Sequence, residues 1–341
     1  MKMSLPPRSL GLVVIETSTS AVLVLSGLIG NSVLLVALYK KPRLKTSIAL
    51  IIAALAMIDL LNVSTSGSLF VFSLAKGKLC FSNLVCQISG FFLHFLTYAS
   101  MATMALTAVN RFFCVLVPVV YKRTFTYRHS IAYIACLWGF VVVVVLVPIM
   151  SGWATFAFNP LMSVCSMEFA NRRAEIGYTS FIVAVFVIVC LSIITFCYTR
   201  VFQFIRAHNA NTVSLSKQEI RLTKALFVLV FAFVVLWVPA FLAILLFRVI
   251  LPASLTPREM VLTVPYLMNV SSAVNPWIYG IMSSFVRNKM IKIFFKNRLQ
   301  PDDSLRVITV VRAWERSCVL RKGSVIADAS VPPNVSAETI Q

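Results

Sequence analysis

The chain has 341 residues, of which 59% are hydrophobic and 12% charged, with a formal net charge of +20. A soluble domain carries about 25% charged residues, so this composition excludes an ordinary soluble core, and a disordered chain would be far less apolar. The positive charge does not point to nucleic acid, because the basic residues flank apolar stretches and build no separate basic domain.

A helix needs roughly 20 apolar residues to cross about 30 Å of hydrocarbon. Candidate spans run near 12–39, 47–74, 84–116, 130–150, 176–205, 222–249 and 259–282. Helices are expected because no lipid-facing backbone group can remain unpaired. The fold class is therefore an all-α membrane protein, a seven-transmembrane helix bundle over 12–283. Residues 1–11 precede it as a short outer segment, and 300–341 form a polar tail. The stretch from Leu12 is too long for the apolar part of a signal peptide and no small-residue cleavage site follows, so it reads as the first span. The Asn-x-Ser triplets at Asn62, Asn269 and Asn334 fall in spans or in the tail and are not expected to carry glycans.

The charge distribution sets the orientation. With the N-terminus outside, Lys40, Lys41, Arg43 and Lys45 lie inside, as do Lys122, Arg123 and Arg128. Arg200, Arg206, Lys217, Arg221 and Lys224 surround the fifth-to-sixth connection, and Arg287, Lys289, Lys292, Lys296 and Arg298 follow the last span. Fewer basic residues face outward, among them Lys2, Arg8, Lys76, Lys78, Arg172, Arg173, Arg248 and Arg258. The positive-inside rule then gives an outer N-terminus and an inner C-terminus, and the basic inner rim favours anionic membrane lipids.

Several residues along the spans carry chemistry. Asp59 is a carboxylate inside the second span, where an ionisable group is a functional candidate. Asn31, Ser100, Ser271, Ser272 and Asn275 fall at comparable depth. A buried carboxylate stays ionised only beside a cation or several donors, so sodium or a proton is implied; the alternative is a neutral, hydrogen-bonded structural Asp. Cys86 opens the third span and Cys165 lies in the fourth-to-fifth connection, both on the oxidising side, where a disulfide would pin that connection over the bundle. Cys80 leaves an odd number outside: a free thiol, a competing partner or an intermolecular site. Arg111 lies at the inner end of the third span in Asn110-Arg111-Phe112, and Glu219 begins the sixth; these opposite charges can hold the two inner ends together. A snorkelling arginine is the simpler reading of Arg111. Phe233, Trp237 and Pro239 sit in the sixth span, where proline bends a helix. The seventh ends in Asn275-Pro276-Trp277-Ile278-Tyr279, and Tyr198 and Tyr279 are placed to meet near the inner side.

In order and spacing this set resembles the rhodopsin-like class of G-protein-coupled receptors. The likeness runs through Gly30-Asn31, the Asp59 segment, the Cys86-to-Arg111 spacing, Trp138, Tyr198, Phe233-x-x-x-Trp237-x-Pro239 and Asn275 to Tyr279, over roughly 12–299. The resemblance implies a plasma-membrane receptor that passes an extracellular stimulus to a heterotrimeric G protein and catalyses no covalent chemistry. The activation switch would comprise Asn110, Arg111, Tyr198, Glu219, Phe233, Trp237, Pro239, Asn275, Pro276 and Tyr279. It implies an allosteric sodium ion at Asp59, Ser100 and Asn275, and a short amphipathic eighth helix over 284–299 on the inner leaflet. Tail hydroxyls such as Ser304, Thr309 and Ser317 would serve a receptor kinase and arrestin.

The departures are informative. The usual acid before Arg111 is Asn110, as in melatonin receptors, so the resting restraint rests more on Glu219 and basal activity is expected to rise. The usual proline of the fifth span is Cys190. The third-helix Asp of monoamine receptors is Leu93, which leaves a cationic ligand without a partner. The opsin retinal lysine is Asn269, and 259–279 contains no lysine, so a covalent cofactor is not expected. The remaining cavity set is Leu93, His94, Thr97, Tyr98, Ile182, Phe186, Trp237, Phe241, Pro265, Tyr266 and Asn269. It suits a lipid-like or small aromatic ligand, with a short peptide as the alternative. Arg172, Arg173, Arg248 and Arg258 either steer an anionic group from above or are solvated loop charges. His94 is either a packing histidine or a ligand contact.

Competing functions fare worse. A transporter should show an inverted repeat or broken midplane helices. An enzyme should show a nucleophile, metal cluster or paired acids; none stands out in the sequence. A receptor-like partner or decoy that does not signal is kept in play by Asn110 and Cys190.

Overall fold

A computed structural model of the chain describes residues 4–39, 46–210, 217–246 and 257–282, and their side chains except at 208–210, 217–226, 229, 230, 233 and 279–282. The expected surface helix over 284–299, the tail, the inner connection at 211–216, Arg248 and the side chains of Glu219, Phe233 and Tyr279 lie outside the described residues.

Seven helical passes are present. The first is α1, Leu10–Tyr39; the second is α2, Ser47–Asn62, continued by α3, Ser68–Lys76. The third is α4, Asn83–Leu116, followed by the short α5, Pro118–Thr124, and by the fourth pass α6, Tyr127–Met150. A hairpin of β1, Ala154–Asn159, and β2, Val164–Phe169, then leads to the fifth pass, α7, Arg172–Ile182, continued by α8, Cys190–Ala210. The sixth is α9, Lys217–Leu245, and the seventh α10, Arg258–Met282. Among the described residues, five of these passes are long and apolar enough to cross a membrane. The last two have 29 and 25 residues, or about 43 and 37 Å at 1.5 Å per residue, which also exceeds the hydrocarbon thickness.

Local chemistry sets the helix starts. Thr46, Ser82, Thr126 and Asn171 each accept a hydrogen bond from the backbone N–H three residues on, at Ala49, Val85, His129 and Ala174. These side chains satisfy first-turn donors that the helix cannot. They explain why the fourth and fifth helices begin at Tyr127 and Arg172, a turn before the apolar stretches near 130 and 176: capping carries a helix past the hydrocarbon edge. Gly77, with φ of 69°, ends the second pass in the left-handed conformation that favours glycine.

Two passes contain a stretch of wider turns, at Val63–Gly67 and Val183–Val189. The second ends directly before Cys190, where proline was missing from the expected pattern. The helix widens there without proline, and the Cys190 thiol lies 3.7 Å from the Val185 carbonyl as a donor.

The bundle is apolar outside and carries a set of polar residues within its apolar core. Val14, Val22, Leu25 and Ile29 on α1 and Phe140, Val143 and Val147 on α6 are exposed, as lipid-facing residues should be. Asn31, Asp59, Asn62, Ser100, Thr103, Asn110, Ser271, Ser272 and Asn275 are buried. The third pass is the central post, with two thirds of its most apolar stretch buried, against 28% for the fourth. Trp138 of α6 donates to Thr103 Oγ1 of α4 at 3.2 Å, which ties the fourth pass to that post.

Candidate functional site

The outer half of the bundle holds a cavity roofed by the hairpin. Cys86 at the start of α4 and Cys165 in β2 form a disulfide with Cα atoms 5.4 Å apart, which fastens β2 over the helix. Phe158 pairs with Cys165 across the hairpin, and Phe156 presses so closely on α4 that a Cβ at Gly90 would meet its ring at 2.8 Å. The sequence pointed to a pinned connection; its β-hairpin form was not foreseen. Alternation in 154–159 and 164–169 is the signal that was available, obscured because both faces are largely buried.

Beneath this roof lies a cavity of about 70 Å³. The third helix contributes Leu93, His94, Thr97 and Tyr98, the hairpin Met162, Ser166, Met167 and Phe169, and the fifth pass Tyr178, Thr179, Ile182 and Val183. Phe241, Ile244 and Met268 complete the wall from the sixth and seventh helices. Among the described residues of this wall, none is an acid, lysine or arginine. His94 Nδ1 lies 2.8 Å from the Gly90 carbonyl, so a neutral ring carries its proton on Nδ1 and presents Nε2 as an acceptor. Thr97 donates to the Leu93 carbonyl at 2.6 Å.

Of the expected ligand residues, Leu93, His94, Thr97, Tyr98, Ile182 and Phe241 line the cavity. Phe186 and Trp237 stand behind that wall, stacked on Tyr98 at 4.8 Å and on Phe241 at 5.7 Å between ring centroids. Pro265, Tyr266 and Asn269 lie elsewhere. The Tyr266 hydroxyl donates to the Glu16 carbonyl at 2.6 Å, and its ring meets Phe70 edge-on. Asn269 donates to the Pro265 carbonyl at 2.8 Å, and its Oδ1 would be 2.6 Å from a Cβ placed on Gly67. These contacts turn both residues toward the first and second helices. The hairpin residues, and Tyr178, Thr179 and Val183 of the fifth pass, were missed because nothing in a one-dimensional pattern tells which face of a connection turns inward.

Below the cavity runs a chain of polar contacts. The Trp237 indole N–H donates to Ser271 Oγ at 3.0 Å. The adjacent Ser272 lies beside Asp59 and accepts from Asn62 Nδ2 at 3.2 Å. Asn275 Nδ2 donates to Asp59 Oδ2 at 2.7 Å, and Asn31 Nδ2 donates to the Ser272 carbonyl at 3.0 Å. The structure thus gathers Asp59, Asn31, Ser272 and Asn275 as a group, gives Ser271 to Trp237, and adds Asn62, which the sequence reading passed over. Ser100 is buried on α4. A carboxylate among hydroxyl and amide groups is a hard-oxygen set suited to sodium, and no cluster of three His, Cys, Asp or Glu side chains occurs among the described residues.

At the inner end, Arg111 and Tyr198 are both buried. Asn110, fully buried, donates through Nδ2 to Ser47 Oγ at 2.9 Å. Ser47 and Ser130 share a hydrogen bond of 2.6 Å, and Ser130 donates to the Thr126 carbonyl at 2.9 Å. A relay of hydroxyls therefore ties the third pass to the second and fourth where an acid was expected. Pro239 lies within α9, and Pro276 is buried on α10.

The outer arginines differ from one another. Arg172 is half-exposed and paired with Glu175 at 3.0 Å. Arg258 is buried and bound to Glu16 at 2.7 Å, so it is neither a solvated loop charge nor an unpaired cation over the cavity. Glu16 had escaped notice, lying near the outer end of the first apolar stretch.

The sequence from 30 to 279 matches the family model described as 7 transmembrane receptor (rhodopsin family). The chain is 24% identical over 275 residues to melatonin receptor type 1A of Ovis aries, covering 78% of this chain and 73% of that protein. It is 26% identical over 290 residues to the deep-sea form of rhodopsin from Anguilla anguilla, covering 82% and 81%. The crystal structure of squid rhodopsin superposes with a TM-score of 0.73 at 20% identity, over 89% of this chain and 94% of that one. The disulfide-pinned roof, the buried Asp59 group and the inner arginine thus stand in a chain that belongs to the rhodopsin family of seven-transmembrane receptors.

Proposed function

We propose that this receptor binds a small, uncharged, largely aromatic molecule under the hairpin and in response activates a heterotrimeric G protein at its inner face. The observation that carries the reading is the continuous line of contacts from cavity to core. Phe241 forms part of the wall and stacks on Trp237; Trp237 bonds Ser271, and the next residue, Ser272, lies beside Asp59. A ligand that presses on Phe241 acts on the packing of the sixth and seventh helices. It shifts the balance of states only if it binds the open arrangement more tightly.

The cavity narrows the ligand class. The cavity is small, about 70 Å³, which favours a compact molecule over a long acyl chain. The neutral wall gives an ammonium no counter-charge. Lipid-like ligands are therefore a second choice, and a short peptide a third. A covalently attached retinal is not proposed, because Asn269 stands where opsins carry lysine and turns toward Gly67.

In the same reading, Asp59 with Ser100 and Asn275 would hold a sodium ion, which supplies a counter-charge to the carboxylate. The N-terminus lies outside and the tail inside, where tail hydroxyls serve a receptor kinase and arrestin. A non-signalling partner is the rival reading, favoured by one observation: Asn110 bonds Ser47 in place of an acid beside Arg111. The deciding experiment is ligand-stimulated nucleotide exchange with purified receptor and G protein. A response abolished by Arg111→Ala supports signalling. Recruitment of ligand without exchange on any G protein supports the rival.

A further inference from the structure

The outer end of the bundle carries a buried ionic cluster that the receptor reading does not use. Glu16 of α1 accepts from Arg258 Nη1 at 2.7 Å and Nη2 at 2.8 Å, a two-pronged pairing, and from Arg8 Nη1 at 2.8 Å. All three side chains are less than a tenth exposed. The backbone carbonyl of the same Glu16 accepts the Tyr266 hydroxyl. One residue of the first helix therefore grips the seventh at two points eight residues apart, about 12 Å along its axis.

The cluster also closes a strap. Ser4 pairs with Lys78 in an antiparallel bridge, and the Leu5 N–H donates to the Gly77 carbonyl at 2.8 Å. Leu5 is buried, and Arg8 Nη2 donates to the Leu74 carbonyl at 2.7 Å. Residues 4–8 thus cross the outer end of the second helix and end in the guanidinium held by Glu16. Glycine is favoured where the strap crosses. Gly77 is left-handed, and Arg8 Nη2 would lie 3.4 Å from any Cβ there.

Burying two guanidiniums around one carboxylate is tolerable only with pairing this complete, and apolar residues would fill the same gap at lower cost. What the ionic set adds is a fixed geometry that releases when one partner is removed. The turns of α10 below Tyr266 carry Met268, which lines the cavity, and Ser271, which holds the Trp237 indole.

We propose that Glu16 is the keystone of an outer latch that fastens the N-terminal strap to the second helix and sets the outer half of the seventh, so that opening the latch raises ligand-independent signalling. The strap half of this proposal stands on its own; the signalling half rests on the receptor reading given above. Cysteines at 4 and 78 test the strap. A bridged antiparallel pair has Cα atoms about 4.5–5.5 Å apart, within disulfide reach. In a Cys80→Ser background, Ser4→Cys with Lys78→Cys is expected to cross-link nearly completely on the intact receptor, read by peptide mass spectrometry. Adding Glu16→Gln is expected to lower the yield several-fold, and an unchanged yield overturns the latch. Two milder variants cover a Glu16→Gln that does not fold. Arg8→Gln should lower the cross-link alone, and Arg258→Gln should raise basal nucleotide exchange about threefold or more with the cross-link retained. If Arg8→Gln leaves the cross-link at the unmutated level, the latch is overturned. If Arg258→Gln leaves exchange at the basal level while Arg111→Ala still abolishes it, the link to signalling is overturned and the receptor reading stands.

Discussion

Replacing Asn110 by Asp puts the expected acid next to Arg111 and shows how the hydroxyl relay operates. Asn110 now donates to Ser47, whose proton serves the bond to Ser130, while Ser130 donates to Thr126. A carboxylate cannot donate, so Ser47 must turn its own proton toward residue 110 and leave Ser130. That loses one hydrogen bond, about 1 kcal/mol. Against it, opposite charges about 5 Å apart at an effective dielectric of ~20 attract by about 3 kcal/mol. Arg111 is already buried, so the new carboxylate meets a desolvated partner. The difference, about 2 kcal/mol in favour of the closed inner end, corresponds to roughly a 30-fold fall in the open population. Basal G-protein nucleotide exchange at matched surface expression should drop by that factor in Asn110→Asp. Asn110→Ala loses the Ser47 bond without adding charge and should not drop. Equal basal exchange in Asn110→Asp and the unmutated receptor would refute the assignment of residue 110 as part of the inner restraint.

Other perturbations follow from single contacts. Cys86→Ala with Cys165→Ala opens a loop of 79 residues, for which chain entropy gives at most about 4–5 kcal/mol; thermal unfolding in detergent should fall markedly, and ligand response with it. Cys80→Ser should change neither, since Cys80 is a free, exposed thiol. Gly30→Ala would place a Cβ 2.5 Å from the Pro276 ring, so overpacking of about 1–3 kcal/mol should lower the melting temperature, while Gly139→Ala, with open space around it, should not. Ser271→Ala removes the hydrogen bond that the Trp237 indole N–H makes to Ser271 Oγ, a loss of about 1 kcal/mol. Basal exchange should rise several-fold in this variant, and Trp237→Phe should show no further effect of it.

The spans, their order and the inward-facing polar residues were legible in the sequence because lipid permits few solutions. A helix must be apolar for about 20 residues, and polar groups at mid-depth must find one another. Asp59, Ser272 and Asn275 do so. What escaped was lateral: which neighbour a residue faces. Tyr266 and Asn269 were placed in the ligand wall by their depth, yet their contacts are with Glu16 and with the Gly67 surface. Depth can be counted along a helix, whereas rotation about its axis depends on partners distant in sequence. The wide turns at Val63–Gly67 and Val183–Val189 add to this, since each rotates everything beyond it relative to an ideal helix. The Glu16 cluster was missed for a related reason. Its partners lie 8 residues before and 242 after, and a lone acid near the end of an apolar stretch reads as a boundary charge.

The measurement that tests the central claim most directly is nucleotide exchange on purified heterotrimeric G proteins by the receptor reconstituted in lipid vesicles, with and without small uncharged aromatic ligands, beside Arg111→Ala. The account predicts exchange above the receptor-free rate, increased by a ligand that competes for the cavity at Leu93 and Phe241, and lost in Arg111→Ala. A receptor that binds such a ligand and leaves exchange at the receptor-free rate on every G protein class would contradict it.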